Sequence, residues 1–138
     1  MKFFKPATHI YIETGLGDLN MVDIKTEMTP MRLSLTERRP VELMIEIENN
    51  SNKVQMMSYD INLGGELAFD KGGRSGVQTK RFDSLQPGER IRDYFDIYPK
   101  VNVSVGEKLI VITAMEHFNQ DYKYVMSKKS KELVLRVV

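Results

Sequence analysis

The stretch Val41-Glu42-Leu43-Met44-Ile45-Glu46-Ile47-Glu48-Asn49 alternates with a period of two. Val41, Leu43, Ile45 and Ile47 share one parity, while Glu42, Glu46 and Glu48 share the other. Successive strand side chains point to opposite faces, so this is a β-strand with one buried face and one wet face. Asn49-Asn50-Ser51-Asn52 closes it with residues that favour turns through local side-chain hydrogen bonds.

The same period recurs on both sides. Val22, Ile24 and Thr26 share a parity between Met21 and Met28, and Pro30 ends that run. Tyr59, Ile61 and Leu63 alternate before Gly64-Gly65, and Leu67 and Phe69 form a short strand before Lys71-Gly72-Gly73. From Glu89 to Tyr98, Ile91, Phe95 and Ile97 face one way and Arg90, Arg92, Tyr94 and Tyr98 the other. Lys108 to Glu116 is apolar on both parities, the pattern of a central strand covered on both faces. Leu133, Leu135 and Val137 supply the last strand, and a weaker one runs through Thr8 to Glu13. The best helical candidate, Gln120 to Lys131, alternates nearly as well as it spirals, and no other window sustains a helical stripe. Eight or nine short strands at this spacing predict an all-β fold, an antiparallel β-sandwich.

The turns agree. In Gln86-Pro87-Gly88-Glu89, Pro sets φ at the first central position and Gly supplies positive φ at the second, a type II turn feeding the next strand. Gly15-Leu16-Gly17 reads as a hairpin turn, because the third glycine and following helix of a dinucleotide fingerprint are missing. Asp70 to Val77 holds three glycines and reads as a mobile loop.

Composition narrows the classes further. The chain has 138 residues, enough for one domain, with 41% hydrophobic and 28% charged residues. It divides into an N-terminal strand or hairpin extension, 1–20, and a sandwich over 21–138. Twenty Lys and Arg against nineteen Asp and Glu leave +1, which excludes a strong field of either sign over the whole molecule. No Cys is present, so disulfides, thiolate metal sites and cysteine nucleophiles are excluded. Lys5, Pro6, Thr8 and His9 interrupt any signal-peptide core, and no apolar run approaches the roughly 20 residues that span a bilayer. The expectation is a soluble cytoplasmic protein with no membrane association.

Two pieces of this pattern resemble a family. Leu33-Ser34-Leu35-Thr36-Glu37-Arg38-Arg39-Pro40 running into Val41–Asn49, and then Leu85-Gln86-Pro87-Gly88-Glu89, are similar to the opening and middle of prokaryotic immunoglobulin-like sandwiches. Cell-adhesion-related modules of the CARDB type and transglutaminase C-terminal domains share that outline. The resemblance covers roughly 21–138 and lacks the immunoglobulin Cys and Trp markers. It implies an immunoglobulin-like β-sandwich used for binding or spacing, with no catalytic residues to carry over.

No constellation for catalysis emerges. The two histidines, His9 and His117, have no ligand-spaced partner, and no Gly-x-Ser-x-Gly elbow exists. Asp93 and Asp96 are three apart on a strand, so they face opposite ways and form no carboxylate pair with Asp60 or Asp83. The reading is therefore no enzyme, no cofactor and no metal. The scattered methionines read as core filling, and Lys128-Lys129-Ser130-Lys131 as a solvated turn.

Two surfaces remain. Tyr94, Tyr98, Arg90 and Arg92 share a parity and are residue types enriched at binding hot spots. Charge is also divided unevenly: residues 1–70 carry net −4 and residues 71–138 net +5. Lys71, Arg74, Lys80 and Arg81 concentrate the basic part around the glycine loop, where a phosphate or nucleic acid could be held. The sequence thus predicts a non-enzymatic binding or accessory module. Its partner is another protein, met on the Tyr94 face or by strand addition, with a homo-oligomer through an exposed edge strand as one form. The alternative is nucleic-acid or phospholigand binding through 71–81.

Overall fold

The computed structural model describes residues 22–138, together with the backbone of Phe3–Phe4 and Ile10–Ile12. Most of the expected N-terminal extension, including His9 and Gly15-Leu16-Gly17, lies outside the described residues. The strands are β1 (Phe3–Phe4), β2 (Ile10–Ile12), β3 (Val22–Thr29), β4 (Arg32–Leu33), β5 (Val41–Asn49), β6 (Gln55–Asn62), β7 (Leu67–Ala68), β8 (Val77–Leu85), β9 (Arg90–Pro99), β10 (Gly106–Phe118) and β11 (Asp121–Val137). They form two sheets, one in the order β1-β2-β11-β10-β6-β8 with β4 also on β11, the other β3-β5-β9-β7. All pairs are antiparallel except those of β2 and β4 with β11. The fold is an all-β sandwich of two sheets, as the period-two reading predicts, and it is immunoglobulin-like, as the resemblance implies.

The core is what that period turns inward. Val41, Leu43, Ile45 and Ile47 of β5 meet Met57, Tyr59 and Ile61 of β6, Ile110 and Ile112 of β10, and Leu135 and Val137 of β11. Burial of these side chains is the main favourable term of folding, at roughly 1.5–3 kcal/mol for each large apolar group.

Asn49 ties one end together. Its side-chain Nδ2 donates to the carbonyls of Lys53 and Leu85, both at 2.8 Å. Its Oδ1 accepts from the Ser51 backbone N–H at 2.8 Å and the Ser51 hydroxyl at 2.6 Å. Its own backbone joins the Gln86–Glu89 turn, accepting from the Gly88 N–H at 2.8 Å and donating to the Glu89 carbonyl at 3.1 Å. Gly88 has φ of 78° and the Glu89 N–H donates to the Gln86 carbonyl at 2.9 Å, as a type II turn demands. The two segments that carried the family resemblance are therefore bonded to each other through one asparagine.

The opposite end is held by Glu66. Its carboxylate accepts from the Ser104 N–H at 2.9 Å, the Ser104 hydroxyl at 2.8 Å and the Lys108 ammonium at 2.8 Å. Those bonds, the Lys108 one foremost, hold its carboxyl down from an ordinary 4.5 to about 2.

Four expectations change. Lys108–Glu116 is not covered twice: Leu109 and Val134, paired across β10 and β11, are 48% and 52% exposed, and the outer face closes only near Met115. Gln120–Lys131 belongs to a 17-residue strand, so Lys128–Lys131 is mid-strand and not a turn. There, Lys129 and Lys131 donate to the edge carbonyls of Val22 at 3.0 Å and Ile24 at 3.3 Å. Strand β8 had no expectation at all. The glycine loop, expected to be mobile, is organised around the Asp70 carboxylate, which accepts from the Arg74 N–H at 3.0 Å and the Ser75 N–H at 2.9 Å.

Replacing Asn49 by Ala strands the buried Leu85 carbonyl and removes the bond to Lys53, so urea denaturation is expected to show a loss of about 1–3 kcal/mol. Glu66 generates a pH test. Its folded value lies below its unfolded one, so it contributes stability that is complete above about pH 4.5 and lost as pH falls towards about 2. Denaturation midpoints of Glu66→Gln are expected to fall less steeply than those of the parent across that window.

Candidate functional site

The outer face of the β3-β5-β9 sheet is ordered in four cross-strand rows. Register places Asp23, Glu48 and Arg90 together, then Lys25, Glu46 and Arg92, then Glu27, Met44 and Tyr94, then Thr29, Glu42 and Asp96. The first two rows together carry no net charge. Arg90 Nε lies 3.2 Å from Glu48 Oε2, and Arg92 Nη2 and Nε donate to Glu46 Oε1 at 2.8 and 3.2 Å. That double hydrogen bond holds the Glu46 carboxyl below the usual carboxylate range and raises Arg92. Alternation assigned Glu46 to the wet face, yet it is only 5% exposed, with Lys25 and Arg92 opposite it on either side.

The third and fourth rows differ. Tyr94 is 56% exposed and stands opposite the half-buried Met44. A shallow cleft of about 170 Å³ opens there, lined by Glu27, Thr29, Glu42, Met44, Arg92 and Tyr94. Next to it, Glu42 is paired directly with Asp96, two carboxylates where the first two rows place a carboxylate against a guanidinium. Like charges opposite one another destabilise a sheet.

The structure brings Arg90, Arg92 and Tyr94 together on this face, with both arginines engaged. Tyr98 falls on the same parity beyond the end of β5, half-buried opposite Ala68 of β7. Glu27, Thr29, Glu42, Met44 and Asp96 were not singled out from the sequence. Each looked like ordinary wet-face polarity on its own strand, and only cross-strand register assembles them. Testing each carboxylate for a cation on the adjacent strand would have marked Glu42 and Asp96.

The basic residues do not converge. Lys80 turns inward from β8, its ammonium 5.8 Å from the Phe95 ring centroid, while Arg81 points the other way, 4.8 Å over Tyr122. Lys71 and Arg74 sit on the glycine loop, whose Arg74 and Ser75 N–H groups already serve Asp70. A phosphate would have to displace that carboxylate.

His117 is 3% and Ser58 4% exposed, with Nε2 2.7 Å from the Ser58 hydroxyl. Nδ1 lies 3.1 Å from the Tyr124 carbonyl, an acceptor only, so Nδ1 carries a proton and donates it there. Asp93 accepts from the Tyr59 hydroxyl across the sandwich, raising the tyrosine through burial first and that bond second. Asp83 likewise accepts from Tyr122, which burial and then this bond push up to about 12. Asp60 accepts from Thr79 at 2.7 Å. Among the described residues no group of three or more His, Asp or Glu is placed to hold a metal ion. No described helix is long and apolar enough to cross a membrane.

Solved structures share the fold. The chain is similar to native alpha-2-macroglobulin of Escherichia coli in a crystal structure spanning domain MG7 to the C-terminus. That match has a TM-score of 0.63 and 16% identity over 89% of this chain and 17% of the other. The cryo-EM reconstruction of the native conformation of the same protein matches with a TM-score of 0.61 and 15% identity, over 87% of this chain and 7% of the other. A FixG-related protein from Vibrio parahaemolyticus matches with a TM-score of 0.56 and 11% identity, over 86% of this chain and 98% of the other. This chain therefore spans a small fraction of the macroglobulin chains and nearly all of the FixG-related one. These likenesses establish the immunoglobulin-like sandwich fold and nothing finer. No protein-family model and no curated protein matches the chain.

Relieving the like-charge pair is expected to stabilise the isolated domain. Asp96→Asn or Glu42→Gln should raise unfolding free energy by roughly 0.2–1 kcal/mol. Tyr94→Ser, at an exposed position, should stay within about 0.5 kcal/mol of the parent. Chemical denaturation of the three variants checks both.

Proposed function

We propose that this chain is a non-catalytic β-sandwich module that docks another protein on the outer face of its four-stranded sheet, with Tyr94 at the centre. The observation that carries the reading is the exposed Tyr94 beside a cleft floored by Met44, on a sheet face that no described element covers. Tyrosine presents a large contact area with few rotatable bonds and a polar tip, the property that enriches it at interface centres. Arg90 and Arg92 act here as the scaffold, fixed by Glu48 and Glu46.

Docking on the face is favoured over strand addition to the four-stranded sheet because side chains of the facing sheet bridge both of its sides. Lys129 and Lys131 occupy carbonyls on the free edge of β3, and on the other side Lys80 covers Phe95 while Tyr59 bonds Asp93. Inward charges of this kind discourage edge pairing. The same argument counts against a homo-oligomer built on an edge strand. Nucleic-acid binding through Lys71, Arg74, Lys80 and Arg81 is weakened by their divergence. Nothing in the fold depends on a disulfide, so the module is compatible with a reducing compartment.

Photocrosslinking tests the reading directly. A benzophenone amino acid at position 94 is compared with one at position 134, on the outer face of the other sheet, in extract of the source cells with and without nuclease. The expected result is a discrete protein adduct from position 94 alone, unchanged by nuclease. Equal adducts from both positions would remove the docking face, and adducts lost on nuclease treatment would restore the basic loop.

A further inference from the structure

We infer that the segment docking on the Tyr94 face is cationic, entering a lysine or arginine side chain into the cleft between Glu27 and Glu42. The inference rests on the docking reading above and adds the chemistry of the partner.

Three observations carry it. First, the four rows hold six carboxylates, Asp23, Glu27, Glu42, Glu46, Glu48 and Asp96, against the three cations Lys25, Arg90 and Arg92. This is an acidic face on a chain whose formal charge is +1. Second, the deficit is local. Arg90 and Arg92 serve Glu48 and Glu46, while among the described residues Glu27, Glu42 and Asp96 have no ion-pair partner. The isolated fold keeps Glu42 against Asp96, an arrangement that a cation from outside would relieve. Third, the cleft suits a long amphipathic side chain. Met44 and Tyr94 line it for an aliphatic stem, and the Tyr94 ring can face a cationic head with carboxylates at the rim.

The same charge arithmetic argues against the other occupants. A second copy docking face to face would set one acidic surface against another, and an anionic membrane surface would be repelled. An acidic peptide would meet the unpaired carboxylates.

The test is titration of the isotope-labelled full chain with an octalysine peptide, followed by backbone amide shifts, with an octaglutamate peptide in parallel. Octalysine is expected to shift residues around Glu27, Glu42, Met44, Tyr94 and Asp96. Its affinity should fall about tenfold in the Glu42→Gln/Asp96→Asn variant, as loss of two exposed charge contacts implies. That variant is expected to melt at or above the parental temperature, which separates lost binding from lost fold. Glu37→Gln/Glu132→Gln, which removes two exposed carboxylates elsewhere, should change little. Shifts spread over all surface carboxylates, indifference to the Glu42/Asp96 substitutions, or octaglutamate on this face would each overturn the inference. If position 94 still yields its specific adduct when octalysine ignores the face, docking stands and the cationic partner falls. If both fail, the face is not a docking surface.

Discussion

One asparagine sets the spacing of the sandwich at one end. The Asn49 side chain spans the gap between the sheets, from the last residue of β5 to the carbonyl that ends β8 and the turn that enters β6. Its backbone fixes the Gln86–Glu89 turn that launches β9. Four chain segments thus converge on one fully buried amide, which uses both N–H groups and its oxygen. An aspartate has the same shape but cannot donate to two carbonyls, so the position demands an amide as well as a size. With that end pinned and Glu66 pinning the other, the registers of β5 with β9 and of β6 with β8 have little freedom to slip, and register is what creates the outer-face rows.

The two open sides solve a second constraint. A sandwich of this kind has unpaired strand edges, and such edges template aggregation. Here each side is bridged by a side chain from the facing sheet: lysines of β11 onto β3, and Lys80 onto Phe95 with Tyr59 onto Asp93. The polar groups that look misplaced by alternation, Lys129, Lys131, Lys80 and Asp93, are the ones that do this. The broad exposed surfaces are then faces, and among the described residues the Tyr94 face sets the half-buried Met44 beside carboxylates without an ion-pair partner.

Legibility followed burial. Strand β5 was readable because the core covers one of its faces and leaves most of the other wet, which prints a clean period of two. Strand β8 was not, because it is an edge strand, largely exposed, and its Val77-Gln78-Thr79-Lys80-Arg81-Phe82-Asp83-Ser84-Leu85 carries charge on both parities. Strand β10 misled in the other direction: apolar residues on both parities suggested double cover, but Leu109 and Val134 support each other across β10 and β11 in the open. The Tyr94 surface was half legible. Its own strand announced Arg90, Arg92 and Tyr94, whereas Glu27, Glu42 and Asp96 gain meaning only from cross-strand neighbours 13 to 54 residues away in the chain, a relation that no single strand records.

The lysine bonds from β11 to β3 also impose an order in time. Val22 lies 107 residues before Lys129, and Ile24 the same distance before Lys131. On a ribosome β3 therefore emerges first and waits, its edge carbonyls bare, until the 107 residues that separate each pair have been made. The C-terminal strand also receives β4, through Arg32–Arg136 and Leu33–Val137. Pairings this remote cannot form until both partners have left the ribosome, so synthesis sets when they close. Until β11 arrives, the nascent chain shows neighbouring polypeptides the edge that the folded sandwich conceals, so the burden on chaperones should be greatest just before that strand emerges.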